Sequence, residues 1–349
     1  MSQFTFYQAA DLAAFQQLRA GEQRLGEALF WPDPSLGLTQ RLQQAKAAGV
    51  RIVLLGVPED IGPRANLGFG GATQGWNAFI RKFINLQANA FLDASQLMLL
   101  GELDCADLQQ QSLQLDPAQP EQLQQLRALC TELDQRLEPV LLAIFDAGLL
   151  PVVIGGGHNN ALPLLAGLSR SRGQPVNAIN LDPHADFRLL EGRHSGNGFS
   201  YAKAQGYLQH YLVMGLHELK NSAAALAGLQ AEKVDVLSYQ QLFVRQQADW
   251  PALLQQWQAK HSGPFGIELD TDAITGMPVS AYNSCGVSVQ QAEHFVYLLG
   301  SSADSQYLHL AEAAPERHPA GLTAGINDAG QILTALVCAF VMAKQARPV

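Results

Sequence analysis

Three short segments hold the side chains best suited to chemistry. The densest is Asn180-Leu181-Asp182-Pro183-His184-Ala185-Asp186-Phe187-Arg188, directly after the apolar run 176–181. In an extended chain, residues i, i+2 and i+4 project to one side, so Asp182, His184 and Asp186 share a face. Two carboxylates flanking an imidazole are costly to hold close unless a cation compensates them. The plainer reading is a polar strand end making local hydrogen bonds. The second segment, Glu268-Leu269-Asp270-Thr271-Asp272, places Asp270 and Asp272 at i and i+2 after another apolar run. Alone, such a pair equally suits the start of a solvated loop. The third, Gly155-Gly156-Gly157-His158-Asn159-Asn160, permits a tight turn that delivers His158 to a strand end. A glycine-rich turn before a helix can instead cradle phosphate. The G-x-x-x-x-G-K-[ST] pattern is absent, however, and phosphate binding leaves His158 unexplained.

Together the segments supply two histidines and four aspartates. This oxygen-rich set with some nitrogen suits Mn²⁺ or a similar ion better than thiolate-bound zinc. Four carboxylates neutralise two divalent ions, and a two-ion site activates water for hydrolysis.

Such residues need elements that bring them together. Apolar runs of strand length occur at 51–57, 97–103, 151–154, 176–181, 211–214, 234–237, 265–269 and 307–310. Several are nearly continuous in apolar residues, as expected of strands covered on both faces. Between them, 120–147 carries Leu123, Leu126, Leu129, Leu133, Leu137, Leu141 and Ile144 at helical spacing, with Pro120 suited to its first turn and Gly148 to its end. The pattern recurs over 327–343, where Asn327 or Asp328 is a candidate cap. This alternation predicts an α/β protein with a mainly parallel sheet between helices, its site at the carboxyl ends of the strands. Residues 1–45 read as an N-terminal helical appendage, helix-like over 7–20, ahead of a single domain over 46–349. The glutamine-rich stretch 109–125 reads as a solvated loop leading into a helix.

Bulk properties narrow the partners. The 349 residues are 48% apolar, and 31 acidic against 22 basic residues leave a net charge of −9 without any Lys/Arg-rich stretch. Nucleic acid and anionic membranes are therefore not expected partners. Cys105, Cys130, Cys285 and Cys338 form no CxxC pair and no disulfide framework. The expectation is a soluble, cytoplasmic protein.

The three segments, in this order, resemble the ureohydrolase family of arginases, agmatinases and formimidoylglutamases, over most of the chain from about residue 51. The resemblance implies a three-layer α/β/α fold with a mainly parallel, roughly eight-stranded sheet. It also implies two Mn²⁺ ions per subunit held by His158, Asp182, His184, Asp186, Asp270 and Asp272, and a homo-oligomer. Glu312, in Leu310-Ala311-Glu312-Ala313-Ala314-Pro315, matches the family glutamate that binds an amidine or guanidine. Asp186 is implied to bridge the ions and hydrogen-bond the nucleophile. Within the family, Gly157-His158, Phe199 and Met277-Pro278-Val279-Ser280-Ala281 are similar to formimidoylglutamases, whereas Asn197 is similar to the arginase S-G-N segment. The implied reaction is hydrolysis of N-formimidoyl-L-glutamate to glutamate and formamide.

Further expectations attach to single residues. Arg188 is a candidate for a substrate carboxylate, Asn197 a candidate substrate contact, and His194 a candidate proton donor. Arg64 and Asn66 lie in a glycine-rich loop that fits the family, with a structural role as the simpler reading. Asn159 departs from the family's acidic or hydroxyl residue and puts the support of His158 in question. The alternatives are an agmatinase or other guanidino-acid hydrolase and, in another class, a non-catalytic binding or regulatory protein that keeps the fold.

Overall fold

A computed structural model of the chain describes residues 4–346. Residues 1–3, the start of the expected appendage, and 347–349 lie outside the described residues. The strands are β1 (Phe4–Phe6), β2 (Ile52–Gly56), β3 (Leu97–Leu103), β4 (Leu150–Ile154), β5 (Val176–Leu181), β6 (Leu208–Leu216), β7 (Asp235–Ser238), β8 (Phe265–Asp270) and β9 (Ser305–Ala311). They form one nine-stranded sheet in the order β1-β3-β2-β4-β9-β8-β5-β6-β7. β1 pairs antiparallel with β3, and the other pairings are parallel. Every expected apolar run becomes a strand.

The continuous apolar runs follow from burial on both faces: every residue of β2, β5 and β8 is buried. Alternate side chains feed two cores. Leu54, Ile154, Ile179, Ile267 and Leu310 pack under helices Gly75–Phe83, Val289–Gly300 and Leu322–Gln345. Leu55, Val153, Ala178, Val213 and Tyr307 pack under Pro120–Asp146, Ala161–Arg172 and Gly198–Ala204 on the other face. The result is three layers, α/β/α.

Three local expectations change. The segment over 7–20 is not one helix: β1 is followed by the short turn Ala9–Leu12, and Leu12, Leu25 and Leu29 are buried in the same core as Trp76. Sheet pairing and core burial override the helix-like spacing there. Within the glutamine-rich stretch, Ala106–Leu113 is helical because Leu108 and Ser112 are buried, and Ser112 Oγ accepts from Arg64 Nη1 at 2.8 Å. The last helix begins at Leu322 after Gly321 (φ 88°), so Asn327 and Asp328 are interior positions and not caps. Its first turn is exposed, so the apolar period starts late. Among the described residues this helix alone is long and apolar enough to cross a membrane; here it packs on Gly75–Phe83 and Val289–Gly300.

The order of the strands positions the site. After β4 the chain crosses to β5, β6 and β7, then returns to lay β8 and β9 into the gap between β5 and β4. The carboxyl ends of β4, β9, β8 and β5 therefore lie side by side, where such sheets bind ligands. Gly266 on β8 pairs with Tyr307 on β9, and a Cβ at Gly266 would run into the Tyr307 ring. Gly266→Ala is expected to destabilise the protein by about 1–3 kcal/mol through overpacking. Urea unfolding checks this as a lowered midpoint at unchanged slope.

Candidate metal centre

The end of β4 is turned by glycine. Gly155 and Gly156 adopt φ of 92° and 70°, the left-handed region that glycine enters without strain. A Cβ on Gly156 would also collide with the Asn160 amide and Glu59. The turn is held by Glu59, which is fully buried. Its Oε2 accepts from the Ile61 and Gly62 N–H groups at 2.6 and 3.1 Å, and its Oε1 from Gly157 N–H at 2.7 Å. The Asn159 and Asn160 amides donate to Oε1 at 3.2 and 3.3 Å. Burial holds the Glu59 carboxyl above its ordinary range despite these donors. Asn159 therefore braces the turn through Glu59 and does not hydrogen-bond the His158 ring.

The turn delivers a fully buried His158 onto the ends of β5 and β8. Its Nδ1 lies 2.9 Å from Asp186 Oδ2, 3.2 Å from Asp182 Oδ2 and 3.6 Å from Asp270 Oδ2. His184 Nδ1 lies 3.6 Å from Asp182 Oδ1 and 3.8 Å from Asp272 Oδ2. Two ligand groups result: His158 with Asp182, Asp186 and Asp270, and His184 with Asp270 and Asp272. Asp270 belongs to both, and the two oxygens of Asp182 face the two histidines. Asp182 and Asp270 thus stand between the groups, while Asp186 faces only the first. That corrects the expected bridging role of Asp186, because i+4 carries it past the midpoint on a backbone bent to φ 43°.

All six expected ligands converge, and Glu312 joins them from the end of β9. Its Oε1 accepts from His158 N–H at 3.0 Å, its Oε2 from Ser280 Oγ at 2.9 Å, and its φ is 65°. Left-handed backbone at two non-glycine residues, Asp186 and Glu312, is strain of the kind that clusters at functional sites. Burial, then the neighbouring Asp182, pushes both Asp186 and Asp270 up to about 6. Burial and then Asp270 also push Asp272 and Glu312 well above the usual range. For His158, burial alone would lower the pKa, but Asp182, Asp186, Asp270 and Glu268 raise it well above the ordinary value. These are the signs of carboxylates that lack a counter-charge. Neither ring nitrogen of His158 nor Asp272 Oδ1 has a hydrogen-bond partner. Orphaned nitrogen and oxygen donors around crowded carboxylates fit one or two divalent cations with oxygen and imidazole ligands.

The site opens into a pocket of about 340 Å³. Asp186 and the buried Asp270, Asp272 and Glu312 form its acidic floor, the exposed Arg188 and Lys220 line it further out, and Asn66, Ser195 and Asn221 complete the lining. Arg188 Nη1 donates to Asn66 Oδ1 at 2.7 Å, and Lys220 Nζ to Asn283 Oδ1 at 3.0 Å. Two expectations fail. Asn197 is fully buried and does not line the pocket. Its Oδ1 accepts from Arg193 Nη1 at 2.6 Å, while its amide donates to the Leu189 and Gly192 carbonyls. His194 is likewise fully buried, and desolvation, followed by Arg127, Arg188 and Arg193, pushes its pKa down to about 3. A ring that stays neutral and enclosed does not serve as the proton donor. Arg64 turns away to Ser112 and the Leu115 carbonyl.

Sequence reading missed Glu59, Lys220 and a buried trio behind His158. In that trio Glu268 Oε1 accepts from Tyr307 OH at 2.6 Å, and Glu268 Oε2 lies 2.6 Å from His309 Nδ1. The available signal was alternation, since Glu268 shares its strand face with Asp270, as Tyr307 does with His309.

The sequence model of the arginase family matches residues 50–338, and the chain belongs to that family. Together with the buried cluster, this defines a metal-assisted hydrolase of the ureohydrolase type. Within the family it is formimidoylglutamase-like. A formimidoylglutamase of Aeromonas hydrophila is 30% identical over 302 residues, 82% of this chain and 86% of that one. One from Hahella chejuensis is 32% identical over 192 residues, about half of each chain (52% and 51%). Among solved structures, Trypanosoma cruzi formiminoglutamase with Mn²⁺ superposes with a TM-score of 0.72 at 20% identity, covering 94% of this chain and 100% of that one. Bacillus subtilis formimidoylglutamase gives 0.70 at 14% identity, covering 93% and 94%. These two likenesses establish the arginase-like fold.

The raised carboxylates generate a pH prediction. In metal-free protein, Asp186 and Asp270 bind protons more tightly folded than unfolded, so their contribution favours folding at low pH and is lost as pH rises through about 6. Divalent ions compete for the same oxygens. The rise in Tm on adding Mn²⁺ is therefore expected to be small at pH 5 and to grow up to pH 7.5. A rise that is equal at both pH values would contradict the shifts.

Proposed function

We propose that the protein hydrolyses N-formimidoyl-L-glutamate to L-glutamate and formamide, with two Mn²⁺ ions held by His158, Asp182, His184, Asp186, Asp270 and Asp272. The observation that carries the substrate is the polarity of the pocket, whose floor is acidic while the cations Arg188 and Lys220 line it further out. A cationic amidine head suits that floor, and the two carboxylates of a glutamate tail suit the two cations. Agmatine carries a cationic amine at its far end, which Arg188 and Lys220 repel.

Bound ions would lower the pKa of water and supply a nucleophile near neutral pH. The chain's residues do the rest. Glu312, fixed by Ser280 and the His158 N–H, pairs with the amidinium and turns its carbon toward the floor. Asp186 accepts a hydrogen bond from the attacking water and passes its proton toward the departing nitrogen. A C–O bond forms, the C–N bond to glutamate breaks, and the amine leaves protonated. Arg188 and Lys220 hold the tail carboxylates, with Arg188 kept in place by Asn66.

The deciding assay compares formimidoylglutamate with agmatine, arginine and 4-guanidinobutyrate on Mn²⁺-loaded protein. Formimidoylglutamate is expected to turn over far faster than the rest, and Asp186→Ala to lower kcat by about 100-fold or more, the scale of a lost acid–base group. Turnover of 4-guanidinobutyrate alone would keep the anionic-tail reading and discard the amidine. Preference for agmatine would refute both. Arg188→Gln is expected to raise KM by roughly 10–100-fold, the scale of one hydrogen bond to a charged group, with a much smaller change in kcat.

A further inference from the structure

Behind the ligand groups lies a fully buried set of side chains that the proposed chemistry does not use. Glu268 on β8 and His309 on β9 are register partners, and both are fully buried. An isolated ionised carboxylate in such surroundings is expensive unless its oxygens are occupied. Here Tyr307 OH donates to Oε1 at 2.6 Å, and His309 Nδ1 lies 2.6 Å from Oε2. The remaining neighbour of Oε2 is His158 Nε2 at 3.3 Å. That nitrogen makes no hydrogen bond, and Glu268 is the one carboxylate beside it, since Asp182, Asp186 and Asp270 all face Nδ1. A neutral imidazole carries its proton on one nitrogen and a lone pair on the other. A metal-binding histidine usually gives its second N–H to a carboxylate or carbonyl, which fixes both tautomer and ring orientation.

We propose that Glu268, seated by Tyr307 and His309, is the positioning residue of the metal centre: it holds the His158 proton on Nε2 and leaves Nδ1 free for a metal ion. The assignment rests on the reading of His158 as a metal ligand. Tyr307 OH donates to Glu268, and His309 Nδ1 and His158 Nε2 both stand beside its Oε2; only a proton-free carboxylate can accept from all three. A glutamine would present one acceptor oxygen and an NH₂ group that opposes the donors. Because Glu268 touches His158 and not His184, its removal acts on one of the two ligand groups. A cation held by His158, Glu268 and His309 themselves is the competing arrangement, since their ligand atoms lie within 4.8 Å of one another. The short Glu268–His309 contact argues for a hydrogen bond in that space.

The test is Mn²⁺ titration of the full-length, metal-free protein by calorimetry, with electron paramagnetic resonance of the loaded forms. Wild type is expected to bind two ions per chain with the spectrum of an interacting pair. Glu268→Gln is expected to keep one site at wild-type affinity and weaken the other by about 10–100-fold. At two equivalents its spectrum should then be dominated by the six-line signal of an isolated ion. Circular dichroism of the metal-free variant checks that the fold is retained. If Glu268→Gln does not fold, Tyr307→Phe removes one hydrogen bond from Glu268 while keeping its charge, and should weaken the same single site by a smaller factor. Two unaltered sites in the variant that folds, equal weakening of both, or a third wild-type ion lost on Glu268→Gln would overturn the assignment. Wild type that takes up no Mn²⁺ would overturn the metal reading itself, and this assignment with it.

Discussion

Asp182, Asp186, Asp270, Asp272 and Glu312 converge at one end of the sheet, and among the described residues no lysine or arginine makes an ion pair with any of them. In a low-dielectric setting that crowding disfavours the charged form of Asp186, Asp270, Asp272 and Glu312, whose raised pKa values express it. Protons can relieve the repulsion at low pH. At neutral pH the compensation must come from cations, and the unpartnered Nδ1 of His158, facing three aspartates, marks where one fits. The rest of the structure follows from holding these oxygens together against their own repulsion.

The scaffold does this with backbone. Four adjacent parallel strands, β4, β9, β8 and β5, each end at the site; Asp270 closes β8, and the other candidate ligands sit in the turns that directly follow β4, β5 and β8. The glycine turn after β4 could not hold its shape alone, and Glu59 ties it to the 59–62 loop through N–H donors on both sides. Asp186 and Glu312 both adopt left-handed backbone at the site, with φ of 43° and 65°. The core between the layers is largely apolar, and Glu268 and His309 are among its fully buried polar groups, with Tyr307 OH on one Glu268 oxygen and His309 Nδ1 beside the other.

Charge is graded along the pocket. The acidic floor attracts a cationic head, and Arg188 and Lys220 add positive charge on the way in. The net charge of −9 conceals this arrangement, because recognition depends on where charges lie and not on their sum. On the proposed reading, the same placement would separate a substrate with an anionic tail from one with a cationic tail.

Local pattern determined a good deal. The apolar runs marked eight of the nine strands, since a strand buried on both faces must be apolar nearly throughout. The i, i+2, i+4 spacing marked Asp182, His184 and Asp186 as a group, but β5 ends at Leu181 and Asp186 has φ 43°, so the turn after the strand, and not strand periodicity, brings them together. Short-range signals failed where partners distant in sequence decide. The helix-like spacing after Tyr7 yielded to pairing of β1 with β3 and to the core beside Trp76. Asn197 and His194 sit near the ligands in sequence, yet Arg193 and neighbouring carbonyls bury them. Conversely, Lys220, Glu59 and His309 carry no local mark of function, and only the fold brings them to the site. Residue type and spacing therefore named the residues that converge in the cluster and the fold class, which rest on local sequence pattern and apolar periodicity. The pocket's polarity, the assignment of Asp182 and Asp270 between the ligand groups, and the partner of His158 were decided by tertiary structure, because each depends on which strands become neighbours.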